Sequence, residues 1–452
     1  MKNVIYFIGI CLMVACSKDS IENDASEEFP GGATTYNSIF SGSYEQPASN
    51  LNANELAQHA SGDKLFSNSF VANPSTVNPG LGPIFNNVSC VLCHPKNGKS
   101  PQPFSGSDLR GLLFRVSIPR ADESQGPMPV PGLGTQFQHR AIVGTTSEGQ
   151  VQISFQETTH TFADGSTYSL RKPIYTLTST TATIPANMMV SPRIAQQVIG
   201  LGLLEAIPES VILAKQDIND ADNDGISGKA NRVFNPILGV FELGRFGWKA
   251  NNATLLVQAT DAIHQDMGVT SFVFPQETAY GQVQDDGLAD DPELDSLDAI
   301  DLAFYTQSLA VPKRRDFNSS STNNGKQIFF NIGCNKCHTQ KYTTGNNTAF
   351  AFLNNQTFYP YTDLLLHDMG PDLADGRPDY LATGTEWRTP PLWGIGLSEL
   401  VNGHTNYLHD GRARNLLEAI MWHGGEAEAQ KIKVSQLSKK DREDLVKFVG
   451  SL

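Results

Sequence analysis

Two pentads carry the side chains with chemistry in them: Cys90-Val91-Leu92-Cys93-His94 and Cys334-Asn335-Lys336-Cys337-His338. In each, thiols three positions apart can bond the two vinyl groups of one haem, and the adjacent imidazole can turn back onto the iron as proximal ligand. C-x-x-C alone also serves redox dithiols and half zinc sites, and a zinc ribbon would pair two of them at close range. Here each pair ends in His, and the pairs stand about 240 residues apart, far beyond zinc-ribbon spacing. The pattern predicts two covalently bound haem c groups, held by Cys90, Cys93 and His94 and by Cys334, Cys337 and His338. Of the six cysteines, the remaining two are Cys11, in a segment read as leader, and Cys16. None is left for a structural disulfide.

The elements that must position the pentads follow from the chain around them. Lys2 precedes an uncharged apolar run from Val4 to Ala15, and then comes Cys16. This resembles a bacterial lipoprotein signal, which implies a signal peptide over 1–15 and a lipid anchor on Cys16; an ordinary secretory signal with a free thiol is the alternative. Export agrees with haem attachment, which in bacteria takes place outside the cytoplasmic membrane. The predicted location is the cell envelope, as a periplasm-facing or surface lipoprotein of the outer membrane. Residues 16–54, polar and poor in large apolar side chains, read as a flexible tether. With 33 Lys plus Arg against 47 Asp plus Glu, the net charge of −14 argues against nucleic acid and against charge-driven binding to anionic lipid. It favours solubility and a basic redox partner.

Leu56, Ala60, Leu65 and Phe66 recur at a loose helical period before the turn-rich approach to Cys90. From about 108 to 184 the pattern changes: Val151 to Phe155 alternates with period two, and 158–183 is dense in Thr, Tyr and Ser, so short strands are predicted. Pro192 to Ala206 returns to helical spacing through Ile194, Val198, Ile199 and Leu203. In 220–225, Asp220, Asp222 and Asp224 alternate before Gly225, like the first half of an EF-hand loop. Position twelve would be Asn231, so calcium and a solvated acidic turn both stay open. Lys313 to Asn324 reads as a polar linker between halves. Ser438 and Asp441 open an amphipathic terminal helix carrying Leu445, Phe448, Val449 and Leu452. In a cytochrome c domain that helix would pack across the one preceding the haem-binding loop.

Two pentads this far apart, with Arg388-Thr389-Pro390-Pro391-Leu392-Trp393 and Tyr407-Leu408-His409-Asp410-Gly411-Arg412-Ala413, resemble the bacterial di-haem cytochrome c peroxidase superfamily. The match is closer to its branch of di-haem oxidoreductases, and it extends over Gly80–His94, Ser191–Pro208, Asp224–Asn231, Gly244–Gly268, Asp363–Gly376 and Glu386–Glu426. The resemblance implies a mainly α fold with two cytochrome c-like haem domains, over 55–318 and 319–452, the first enlarged by a β-rich insertion at about 108–184. The label "thiol oxidoreductase" used for that branch fits poorly, because every cysteine left in the mature body belongs to a haem.

The same resemblance implies roles for single residues. A distal ligand to the second iron follows the His-Asp-Gly motif, usually as Met; here His423 stands there, with Met421 as the alternative and His367 and Met369 as further candidates. Bis-imidazole ligation would give a lower potential than His/Met. For the first iron, Trp248 falls where the superfamily has a tryptophan between haems, Gln258 ten positions later, and Asp266 before Met267. A carboxylate near the iron can take a proton from one peroxide oxygen and return it to the other, while an amide orients the peroxide. The acid is Asp where Glu is usual, and stands two residues closer to the glutamine. No His between 95 and 250 stands out as a sixth ligand, with His139 and His160 as the remaining candidates. The implied activity is reduction of a small-molecule oxidant, hydrogen peroxide, at the N-terminal haem, with electrons from a redox partner protein or quinone-linked donor. The rival readings are an electron-transfer-only di-haem lipoprotein and an oxidase of a protein or metal substrate.

Overall fold

The computed structural model describes residues 24–106 and 108–452. The signal peptide and the Cys16 anchor lie outside the described residues.

Each half is framed by two crossing helices. In the first half, Ala53–Ser67 starts at a capping box: the Asn52 side chain accepts from the backbone N–H groups of Asn54 and Glu55, and Glu55 accepts from that of Asn52. It crosses Ser296–Ser308, which is capped by Asp295. In the second half, Ser320–Ile332, capped by Ser319, crosses the terminal helix Lys439–Ser451, capped by Ser438. Both crossings turn on a glycine. A Cβ on Gly62 would stand 2.1 Å from the carbonyl oxygen of Asp301, and one on Gly325 would stand 2.0 Å from that of Asp444. Hydrogen in place of a side chain is what lets these backbones approach. Four positions on, Phe66 packs against His94 and Phe329 against His338, with ring centroids 6.1 Å apart in each case. A repeated Gly-x-x-x-Phe spacing thus sets the distance between helix crossing and pentad twice. The terminal helix buries Leu445, Phe448, Val449 and Leu452.

The expectation of a mainly α fold is corrected. The chain is about 30% helical and 19% strand, and every one of its small sheets among the described residues has two antiparallel strands. Between the helix crossings the backbone wraps two large cavities, and short strand pairs do this by satisfying their own N–H and C=O groups locally. Leu112–Ser117 pairs with Met189–Ile194, in the register Leu113 with Arg193. The helical spacing seen over 192–206 is therefore helix only at Leu201–Glu205, and its first residues are strand.

The longest strands form a hairpin, Gly149–Thr161 with Thr167–Ser179, turning at Gly165 with φ +83°. Its tip reaches the second half: Arg442 pairs with Asp164 at 2.6 Å and lies 3.9 Å over the Phe162 ring, and Ala163 N–H donates to Ser435 O at 3.1 Å. Phe114, Val151, Phe162 and Leu170 share one hydrophobic core with Phe329, Phe448 and Leu452.

Residues 24–54, read as part of the tether, are packed onto the body. Glu27 is fully buried and holds Arg314 at 2.7 Å and Lys326 at 2.9 Å. Tyr44 is buried and donates its hydroxyl to Gly394 O at 2.5 Å. Ion pairs and hydrogen bonds fix this strap, which is why low hydrophobicity disguised it. The linker read over 313–324 likewise ends early, because the Ser319 side chain accepts from Thr322 N–H and starts a helix at Ser320.

Candidate active site: two cavities with a shared wall

Each pentad opens onto a cavity. Cys90–Cys93 is one helical turn, and the first cavity is lined by Cys90, Cys93 and His94; Cys334, Cys337 and His338 line the second. His94 Nδ1 donates to Gln196 O at 2.5 Å and His338 Nδ1 to Tyr361 O at 3.0 Å. A backbone carbonyl thus fixes each tautomer and leaves Nε2 as the lone-pair donor. Burial lowers the pKa of His94 and pushes that of His338 down to about 4, so both rings are neutral, as a metal ligand must be. Burial also pushes Cys90, Cys93 and Cys334 up to about 12. Thiols held protonated in apolar surroundings suit neither a zinc thiolate nor disulfide exchange. Thiols, neutral imidazoles and largely apolar walls do fit a haem in each cavity.

The first cavity brings together the residues expected there. Trp248, Gln258 and Asp266 all line it, with Met267 beside Asp266. Gln258 and Asp266 lie on the helix Leu255–Met267, which starts at Thr254 and ends at Gly268 in the left-handed region, φ +72°. Eight residues of helix put roughly 12 Å between their Cα atoms, and Ala262 lines the cavity between them. A ligand contacts both only by lying along this face. Asp266 Oδ1 accepts from Gln136 Nε2 at 2.6 Å. Burial pushes its carboxyl up to about 6, against the opposing charge of Arg115, which pairs with Asp261 at 3.1 Å. Gln258 Oε1 is occupied by Asn252 Nδ2 at 3.1 Å, which leaves its amide N–H groups for the cavity. His139 accepts from Asn86 at 2.9 Å and His160 stacks on Tyr168 at 5.1 Å. Neither lines this cavity, and among the described residues His94 is its one imidazole.

The second cavity is different. His423 lines it with Nδ1 donating to Ala419 O at 2.8 Å, so Nε2 is its free nitrogen. Met421 is buried in the core and is not part of the lining, whereas Met369 is. His367 is excluded as a ligand by its own bonds: Nε2 meets Asp363 at 2.8 Å and Nδ1 meets Glu426 at 2.7 Å. Despite burial, these carboxylates raise its pKa well above the ordinary value, and an imidazolium has no lone pair to offer. Trp248 lines both cavities. Its indole N–H donates to Ile194 O at 2.8 Å, and its ring meets His409 edge-on at 6.5 Å.

A family model described as "Di-haem oxidoreductase, putative peroxidase" matches residues 24–452. The chain belongs to the di-haem oxidoreductase family. No curated protein matches it. Among solved structures, a chain of Kuenenia stuttgartiensis hydrazine synthase, pressurized with 20 bar xenon, is 13% identical, with 100% of each chain covered and a TM-score of 0.36. That likeness is too distant to carry an argument.

In this di-haem oxidoreductase the acidic turn draws in a carboxylate from outside 220–225 and sends one away. Asp217, Asp220 and Asp222 converge, while Asp224 turns to Lys336 of the second pentad. The Asp220 carboxylate accepts from the backbone N–H groups of Asp224 and Gly225.

Sequence reasoning passed over several cavity residues of the di-haem oxidoreductase. Arg388 and His409 stand inside the stretches that carry the family resemblance, so the signal was present. Trp387 stacks on His409 at 3.9 Å, and Lys249 lies 4.6 Å over Trp387 while pairing with Asp375 at 2.8 Å. Lys99 sits in a Pro/Gly/Lys stretch that reads as plain loop, and nothing local distinguishes it.

Proposed function

We propose that this di-haem oxidoreductase is an exported lipoprotein, anchored at Cys16, that carries two covalent haem c groups and reduces hydrogen peroxide to two waters. His94 would hold the haem at which peroxide is reduced and His338 the haem that supplies the electrons, with Trp248 between them. The two halves divide near residue 318. The observation that carries the reading is the inequality of the two cavities: the first has Asp266 and, among the described residues, no second imidazole, and the second has His423 with a free Nε2. When bound, the haems supply the electrons and, on the His94 side, an open coordination position.

The chain's own residues do the rest. Asp266, with Oδ1 held by Gln136, has Oδ2 free to accept a proton from one peroxide oxygen and return it to the departing one. A pKa near 6 suits a group that must do both at neutral pH. Gln258 offers N–H donors to orient the peroxide, and Ala259 and Ala262 keep the helix face between them clear. Trp248, present in both walls, is the aromatic side chain they share and carries the relay between the sites. The net charge of −14 suits an encounter with a basic redox donor, soluble or quinone-linked.

The test is to record absorption and EPR spectra of the loaded protein, oxidised and half-reduced, before and after peroxide. One iron that responds to peroxide is expected. Two low-spin irons with unchanged spectra in both states would leave only electron transfer.

A further inference from the structure

We propose that Lys99 and Arg388 are shared counter-ions for the haem propionates, one pair of cations serving both sites at the wall between them. Both residues line both cavities, together with Trp248 and Pro390. Every other lysine or arginine of the lining has a carboxylate of its own: Arg115 with Asp261 at 3.1 Å, Arg193 with Asp379 at 2.7 Å, Lys431 with Glu428 at 2.5 Å. Among the described residues Lys99 and Arg388 have none, although they are only 8% and 4% exposed. A cation taken out of water without an anion is strongly unfavourable, so its persistence calls for one.

Both are held in place by other means. Arg388 donates to Gly247 O at 2.8 Å, Thr389 O at 3.2 Å and Gln196 Oε1 at 3.3 Å, all neutral acceptors. The carboxylate whose charge acts on it, Asp363, is already engaged by His367 at 2.8 Å. The Lys99 backbone is pinned on both sides, its N–H donating to Asn402 Oδ1 at 3.3 Å and its carbonyl accepting from His404 Nε2 at 2.9 Å. Its ammonium lies 5.2 Å over the Tyr407 ring.

Haem chemistry supplies the missing anions at the right edge. A haem carries its two vinyl groups on one side and its two propionates on the other. The vinyl side of each is tied to a pentad, and no cysteine belongs to the shared wall. With the vinyl side tied to the pentad, the propionate side is free to face that wall. An ammonium and a guanidinium there would form charge-assisted hydrogen bonds with them and, by Coulomb attraction for the added electron, raise both reduction potentials.

The experiment is potentiometric titration of the haem-loaded protein and its Lys99→Met and Lys99→Arg variants, followed spectroscopically at both haems. Lys99→Met is expected to lower both midpoint potentials, and Lys99→Arg to restore them. Lys99→Met protein that loads two haems and holds either potential at its wild-type value overturns the shared role. Arg388→Lys and Arg388→Gln repeat the comparison. If Arg388→Gln does not load, the propionate bands of the Arg388→Lys resonance Raman spectrum decide, by shifting for both haems or not.

Discussion

Asp266 should set a stability against an activity. Its carboxyl is moved from the ordinary 3.8 to about 6 by burial, which corresponds to about 3 kcal/mol between the two protonation states. The folded value lies above the unfolded one. Its contribution to stability is therefore fully present below about pH 3.8 and is lost as pH rises through about 6. Asp266→Asn keeps the shape and the acceptor that Gln136 uses, and never ionises. At pH 7 the variant should be more stable than wild type by about 1–3 kcal/mol, the lower end allowing for the lost attraction to Arg115. The gap should close on acidification. Peroxide turnover should fall by about 10²–10⁴-fold with the proton carrier gone. Guanidinium unfolding of both loaded proteins between pH 4 and 7.5, followed by haem absorption, measures the first quantity, and steady-state peroxidase assays measure the second. A stability gap that stays flat across that range would refute the buried titration, and undiminished turnover would refute the catalytic role.

Other perturbations test other parts. Gly325→Ala places a Cβ 2.0 Å from Asp444 O and should cost about 1–3 kcal/mol by forcing two helices apart, read as a lower melting temperature. Glu148 is fully buried, and burial pushes it up to about 8. Its stability contribution is full below the ordinary 4.5 and gone above about 8, so Glu148→Gln should outlast wild type increasingly from pH 5 to pH 8 in thermal melts. His423→Met should raise the potential of the His338 haem, since thioether ligation favours the reduced iron; an unchanged potential would show that His423 is not the ligand. Trp248→Phe should slow electron transfer between haems in stopped-flow reduction while leaving the initial reduction of the His338 haem at its normal rate.

The pentads were legible because their chemistry is local: two thiols and an imidazole within five residues need no fold to be recognised. The capped helices were legible for the same reason, as Ser438 and Asp441 illustrate. The overall class was not. The period of Ile194, Val198 and Leu203 looks helical on its own, and only pairing with Leu112–Ser117, nearly eighty positions earlier, makes the start of that stretch strand. The strap around Glu27 escaped because its partners, Arg314 and Lys326, are remote in sequence and bind it by charge. Lys99 escaped because its meaning is the lack of a carboxylate partner among the described residues, which a sequence does not display.

The hairpin that reaches Asp164 over to Arg442 also orders events in time. Phe114, Phe162 and Leu170 complete one core with Phe448 and Leu452, so the first half cannot finish packing until the last turn of the chain has been made. Contacts this distant in sequence form slowly, after the loop between them has closed. During that interval the second pentad faces a cavity whose wall still lacks Leu445 and Val449. Leu445 and Val449 of the C-terminal helix line the second cavity and no residue of that helix lines the first, so the arrival of the helix completes the wall of the His338 site alone.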